Sequence, residues 1–113
     1  MRLVCISDTH SMHRQVSVPD GDVLIHAGDC LGVGTLEELE DLDNWFSEQP
    51  HRHKILIAGN HDWCLQDEPA DAEALIRNAI YLRDRSINIE GVKFWGSPWT
   101  PIFFDWAFNL ERG

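Results

Sequence analysis

Three short apolar runs, Leu3-Val4-Cys5-Ile6, Val23-Leu24-Ile25-His26-Ala27 and Ile55-Leu56-Ile57-Ala58, each give way to a cluster of acidic, histidine or amide side chains. The clusters are Asp8-Thr9-His10, Gly28-Asp29 and Gly59-Asn60-His61-Asp62. Runs this continuous and rich in β-branched residues predict strands buried on both faces, and so a central, largely parallel sheet in an α/β fold. In open sheets of that kind ligands gather at the carboxyl ends of the strands, so the clusters are placed to meet at one edge.

The segments between the runs supply the covering layer. From Thr35 to Gln49, a T-x-x-E capping box (Thr35, Glu38) precedes Leu36, Leu39, Leu42 and Phe46 at helical spacing, with Trp45 widening the apolar face. Glu37, Glu40, Asp41 and Glu48 fall on the opposite side, and much of the negative charge is therefore a solvated helix face. A shorter helix is expected from near Asp71, as its cap, to Ala79, with Ala74, Leu75 and Ile76 turned inward. After it the period changes to alternation, with Ser86 to Glu90 and Val92 to Trp95 forming a hairpin about Glu90-Gly91. The order of strands in the sheet is not fixed by this pattern. In the proline-punctuated tail, Phe103, Trp106, Ala107 and Leu110 allow a helical turn or an aromatic loop.

A chain of 113 residues with 43% hydrophobic residues suits one domain, 1–113. The formal charge of −10 disfavours nucleic-acid phosphates as partners, since no basic patch is available to displace counterions. No run is long enough to span a membrane, and the N-terminus lacks the pattern of a secretory signal, so a cytoplasmic location is expected. Cys5, Cys30 and Cys64 are an odd set without C-x-x-C spacing, read as reduced thiols, with Cys30 a packing residue rather than a nucleophile.

The clusters themselves carry metal chemistry. Asp8 and His10 can reach one ion once the strand yields to a turn, the two oxygens of Asp29 can bridge two cations, and Asn60 offers an amide oxygen. Asp62 can orient a neighbouring imidazole. Mixed nitrogen and oxygen donors suit Mn, Fe or Zn. For single residues the ordinary alternatives are turn or cap positions. His26 reads as a satisfied core histidine, and His13, His51 and His53 as solvent-facing, with His13 a weak substitute ligand. Trp63, Trp99 and Trp106 are core aromatics, with a pocket wall as the alternative.

The ordered set Asp8-x-His10, Gly28-Asp29 and Gly59-Asn60-His61-Asp62 resembles the calcineurin-like metallophosphoesterases. Ser7-Asp8-Thr9-His10, Leu24-Ile25-His26-Ala27-Gly28-Asp29, Lys54 through Asp62 and Gly96-Ser97-Pro98-Trp99-Thr100-Pro101 are similar to its metallophosphoesterase-domain-containing group, related to class III cyclic-nucleotide phosphodiesterases. The resemblance implies the N-terminal half of a two-sheet sandwich flanked by helices, with a mostly parallel first sheet and a C-terminal hairpin. It implies Asp8 and His10 as ligands of a first metal, Asp29 as the bridge, Asn60 as a ligand of the second, and His61 on the phosphate with Asp62 as its orienter. The activity implied is hydrolysis of a small phosphodiester or monoester by a pair of divalent ions, Mn first, with Fe, Zn or Mg as alternatives.

The family pattern continues into a later histidine motif and a Gly-His-x-His-like loop, and neither occurs in this sequence. The first metal position keeps Asp8, His10 and Asp29; the second keeps Asp29 and Asn60. One ion rather than two is then a possible complement, and full activity is expected to need a complementary C-terminal fragment or a homo-oligomer. The competing reading is a noncatalytic, truncated or diverged module acting as a binding or regulatory partner. An open sheet edge with exposed apolar surface is expected on either reading.

Overall fold

The computed structural model describes residues 1–101 and 107–110. Four strands, β1 (Leu3–Ile6), β2 (Val23–His26), β3 (His53–Leu56) and β4 (Ile80–Tyr81), form a parallel sheet in the order β1-β2-β3-β4. The register sets Ile6 opposite His26 and His26 opposite Leu56. Three strands therefore end side by side, and the clusters that follow them emerge at one edge.

One helix dominates the covering layer. Helix α1 (Leu36–Glu48) begins at Thr35 with both halves of the capping box formed. It lays Leu39, Leu42, Trp45 and Phe46 on the sheet residues Val4, Leu24, Leu56 and Tyr81. Burying a side chain such as Phe46, fully enclosed here, contributes about 1.5–3 kcal/mol. On the other face, Val23, Ile55, Leu82 and Ile89 pack with Ile25, Ile57, Ile80, Ile87 and Phe94. That second layer is the antiparallel hairpin of β5 (Arg85–Ile89) and β6 (Val92–Gly96). Its turn places Glu90 at φ 50° and Gly91 at φ 83°, the left-handed pair that joins twisted strands through two residues.

Several expectations need correction. The second helix is α3 (Pro69–Leu75), preceded by a short α2 (Trp63–Asp67) that the sequence pattern did not suggest. Proline at the first helical position sets φ for the helix and needs no amide partner there, so the start falls before Asp71. Ala72 is the buried alanine, and Ala74 is exposed. Burial on both faces holds for β2 and β3 but not for β1, an edge strand, with Leu3 46% exposed and Cys5 on the surface.

Nor do His13 and His51 face solvent. His13, in a 3₁₀ turn (His13–Gln15), is enclosed against the Trp45 ring with its Nε2 2.8 Å from Asp41 Oδ2. His51 places Nε2 2.8 Å from the carbonyl of Pro19. In the tail, β7 (Thr100–Pro101) pairs in parallel with β8 (Asn109–Leu110), and Phe108 is buried in the helix-side core. The expectations for Phe103 and Trp106 lie outside the described residues. Among the described residues no helix is long and apolar enough to cross a membrane.

Candidate metal centre

Beyond Ile6 and His26 the backbone keeps pairing while its shape changes. The Ala27 amide donates to Ile6 O, Asp8 N to Gly28 O, His10 N to Asp29 O and Ser11 N to Cys30 O, at 2.8–3.1 Å. Asp8 (φ 56°), His10 (φ 45°), Ser11 (φ 64°) and Asp29 (φ 55°) all adopt the left-handed region. Asp and His visit that region more readily than most residues, but a run of such positions still costs of order 1–3 kcal/mol each and persists only where the surroundings impose it. The strain turns the side chains away from strand alternation and toward one point. One donor atom from each of Asp8, His10 and Asp29 lies within 4.8 Å of the others.

Two glycines make this approach possible. Gly28 sits at φ +106°, and a Cβ on Gly59 would lie 2.2 Å from Asp29 Oδ1 and 2.3 Å from Asp29 N. The third loop thus closes directly over the second. His61 N donates to Asp29 Oδ1 at 3.1 Å, and the His61 ring meets the His10 ring edge to face with centroids 5.0 Å apart. The Asn60 amide lies against Asp29. With its NH₂ group turned inward it donates to both carboxylate oxygens, at 3.0 and 3.1 Å. Turned the other way it presents a third oxygen to two, an arrangement that needs a proton or a cation between them.

The electrostatics agree with a cation site. Burial pushes the Asp29 carboxyl above its usual range, and the neighbouring Asp8 adds to the shift. Asp8 goes the other way, held down by the Ser7 hydroxyl, with Asp29 and His10 contributing further. Two carboxylates this close repel unless a proton or a cation lies between them. Two carboxylates and an imidazole, from Asp8, Asp29 and His10, form a candidate group for a divalent metal ion.

Asp62 occupies a different place. It is fully buried, and its oxygens accept from the amides of Gly59 (2.8 Å), Leu31 (2.9 Å) and Cys30 (3.2 Å), with the Cys30 thiol at 3.4 Å. Burial pushes its carboxyl up against the pull of these donors. The geometry gives it the task of locking the second loop to the third. Cys30 is likewise buried, with its thiol pushed up by burial and by Asp62, as a packing residue would be.

Thr9 and His26 are two further supports. The Gly28 amide donates to His26 Nδ1 at 3.2 Å, which leaves Nε2 as the protonated nitrogen, 2.9 Å from Thr9 Oγ1. Thr9 in turn reaches the Cys30 carbonyl at 3.5 Å. His26 is therefore the satisfied core histidine expected, and it joins the loop of Asp8 and His10 to that of Asp29. The role of Thr9 was missed, although its place between Asp8 and His10 was visible in the sequence.

A cleft of about 200 Å³ opens beside these groups, lined by Asp8, Asp29, Asn60, Pro98 and Trp99 among others. Asp84, which sequence reasoning passed over, fixes that wall by accepting from Ser97 Oγ (2.9 Å) and Trp99 Nε1 (2.7 Å). Arg83 lies over the Trp99 ring at 5.3 Å. Trp99 both lines the cleft and packs edge to face on Phe108, whereas Trp63 packs on the core. Trp106 lies outside the described residues.

The family model described as calcineurin-like phosphoesterase matches residues 1–104. Metallophosphoesterase domain-containing protein 1 of Homo sapiens is 37% identical over 135 aligned positions, covering 99% of this chain and 41% of that protein. UPF0046 protein K07C11.7 of Caenorhabditis elegans is 40% identical over 116 positions, covering 90% of this chain and 40% of that protein. The chain thus spans about two fifths of the length of these curated relatives. With the parallel sheet, the hairpin and the convergent Asp8, His10 and Asp29 in place, the match over residues 1–104 shows that the chain belongs to the calcineurin-like phosphoesterase family.

Proposed function

We propose that this chain supplies the front part of a dinuclear centre that hydrolyses a small phosphodiester or monoester. The observation that carries the reading is the convergence of Asp8, His10 and Asp29 at the ends of two adjacent strands, with Asn60 from a third loop against Asp29. Asp8 and His10 would hold one ion, Asp29 would stand between two, and Asn60 would turn its oxygen toward the second. Divalent ions bound there supply Lewis acidity toward a phosphoryl oxygen and a nucleophile available near neutral pH, with Mn²⁺ the first choice for this donor set.

The remaining work belongs to the chain's own groups. His61, edge to face with His10, is placed to donate to a phosphoryl oxygen or to protonate the leaving alkoxide. Its backbone amide holds Asp29 in position, and Asp62 would act on it through the loop that it locks. Pro98 and Trp99 wall a cleft whose volume of about 200 Å³ suits a small ester. Asp29 and Asn60 alone would leave the second ion short of donors, so full activity calls for further ligands from a complementary C-terminal segment or a second copy.

Mn²⁺ titration of the chain by electron paramagnetic resonance tests the centre itself. Saturable binding that weakens at least about tenfold in Asp29→Asn is expected. Hydrolysis of an aryl phosphodiester is then followed with and without a C-terminal segment from a longer relative. Absence of turnover in both would sink the enzymatic reading, and absence of Mn²⁺ binding would sink the metal centre.

A further inference from the structure

The opposite end of the sheet carries a second cavity, with the reverse charge. β3 pairs with β2 from His53 onward but with β4 only from Ile55, so beside His53 and Lys54 the sheet opens. The opening is a cavity of about 220 Å³ lined by Arg52, His53, Lys54, Arg77 and Asn78, with Ala79 and Ile80 as its apolar side. No Asp or Glu lines it, in a chain with 19 acidic residues against 9 Lys and Arg. Three of those nine, Arg52, Lys54 and Arg77, are thus gathered at one place against the charge of the whole chain.

The wall of the cavity is fixed from beneath. Asp43, buried on α1, accepts from the amides of Arg77 (2.9 Å) and Asn78 (2.9 Å) and from Asn78 Nδ2 (2.8 Å). Its oxygens accept these three bonds, which hold the loop between α3 and β4 in one shape, and its charge also reaches Lys54. The cations around it are loosely paired. Arg52 comes no closer than 3.9 Å to Glu90, and among the described residues neither Lys54 nor Arg77 has a carboxylate within ion-pair distance. Arg14, by contrast, is clamped between Asp41 and Glu48 at 3.0 Å each. Burial also pulls the Lys54 ammonium below its usual range, with Asp43 opposing, as for a cation that lacks a close counterion.

We propose that this cavity is a second binding site, for a small phosphate-type dianion, at the end of the sheet away from the metal centre. Two guanidinium groups and one ammonium, with Asp43 partly balancing Lys54 from beneath, leave a surplus of positive charge for a dianion. The planar guanidinium fork meets tetrahedral oxyanions with paired hydrogen bonds, which a monoatomic anion cannot exploit. The Asn78 side chain and the half-buried His53 add donors or acceptors at the rim. Ala79 and Ile80 leave room for the organic part of a phosphomonoester. This site is independent of the hydrolytic reading, since none of its residues lies at the metal-centre edge.

A ¹H–¹⁵N correlation titration with inorganic phosphate tests it, in the presence of EDTA so that no bound metal can attract the anion, and against chloride at matched ionic strength. Saturable shifts are expected at the amides of Lys54, Ala79 and Ile80 and at the Asn78 side chain, absent with chloride. Lys54→Gln and Arg77→Gln should each weaken binding about tenfold, the effect of losing one charge-assisted contact. The same spectra report whether each variant is folded, and Arg77 is exposed enough for its replacement to be tolerated. Shifts no larger than those with chloride, shifts confined to Asp8 and Asp29, or affinities unchanged in both variants would overturn the proposal. Phenyl phosphate is titrated in parallel: tighter binding than phosphate assigns the apolar side to an ester group, and equal binding assigns the site to the free anion.

Discussion

Thr9 lies between two candidate ligands and points away from both. Its hydroxyl is buried against His26 Nε2, and that ring's other nitrogen accepts from Gly28, the residue before Asp29. Through two hydrogen bonds, the spacing between Asp8 and Asp29 is set by groups that would touch no metal. Thr9→Val keeps the shape and removes the hydroxyl, leaving His26 Nε2–H buried without a partner. The expected cost is about 1–3 kcal/mol of stability, the penalty for an unsatisfied buried donor. Urea denaturation measures that loss, and Mn²⁺ affinity, taken well below the unfolding range, should fall with it. Thr9→Ser, which restores the hydroxyl, should recover both. If affinity were unchanged in Thr9→Val while stability dropped, the contact would serve the fold alone.

At the scale of elements, the N-terminus of α1 shows how a local motif acquires a wider task. Glu38 completes the capping box with Thr35, and it also accepts from the amides of Gly32, Val33 and Gly34 and from Ser11 Oγ. Ser11 in turn accepts from Gly32 N. One carboxylate therefore gathers the loop before the helix and pins the turn after His10. Burial opposes its ionisation, but these donors outweigh that and hold its carboxyl at about 2, against 4.5 ordinarily. A depressed carboxylate of this kind contributes stability that is complete above 4.5 and is lost as pH falls toward 2. Glu38→Gln should lower stability at neutral pH by about 1–2 kcal/mol, as the loss of a cap with charged acceptors implies. It should also flatten the acid limb of a plot of urea midpoint against pH; an unchanged limb would contradict the role given to Glu38.

The same elements show what the sequence could and could not convey. The T-x-x-E box and the spacing of Leu39, Leu42 and Phe46 are local signals, and α1 follows them closely. The β-branched runs likewise marked β1, β2 and β3, and their parallel register then required Asp8, Asp29 and Asn60 to share an edge. The start of α3 turned on a competition between Asp71 as a cap and Pro69 as a first helical residue, which proline won. His13 and His51 depended on partners far along the chain, Asp41 with Trp45 and the Pro19 carbonyl, so their burial carried no local mark. The position of Asp62 beside His61 is a local signal in the sequence. Only the fold shows that its oxygens are directed at the backbone of Gly59, Cys30 and Leu31.

For the whole molecule, the buried titratable groups set opposing demands on pH. His26 is held neutral, its pKa lowered from 6.5 to about 4 by burial first and by the nearby His13 second. Between those values the unfolded chain takes up a proton that the folded chain refuses, so stability falls as pH drops from 6.5 toward 4. Asp29 and Asp62 act with the opposite sign. Their carboxyls are raised by burial, so each retains a proton in the fold after the unfolded chain has released it, and each favours folding on the acid side. These two offset part of the His26 effect rather than adding to it. One group can impose a slope of at most about 1.4 kcal/mol per pH unit. His26→Asn keeps an acceptor for the Gly28 amide and removes the titration. In metal-free buffer, urea midpoints of the wild type should therefore decline from pH 6.5 to about 4 more steeply than those of His26→Asn. Parallel curves for the two proteins would show that His26 is not the group that senses acid.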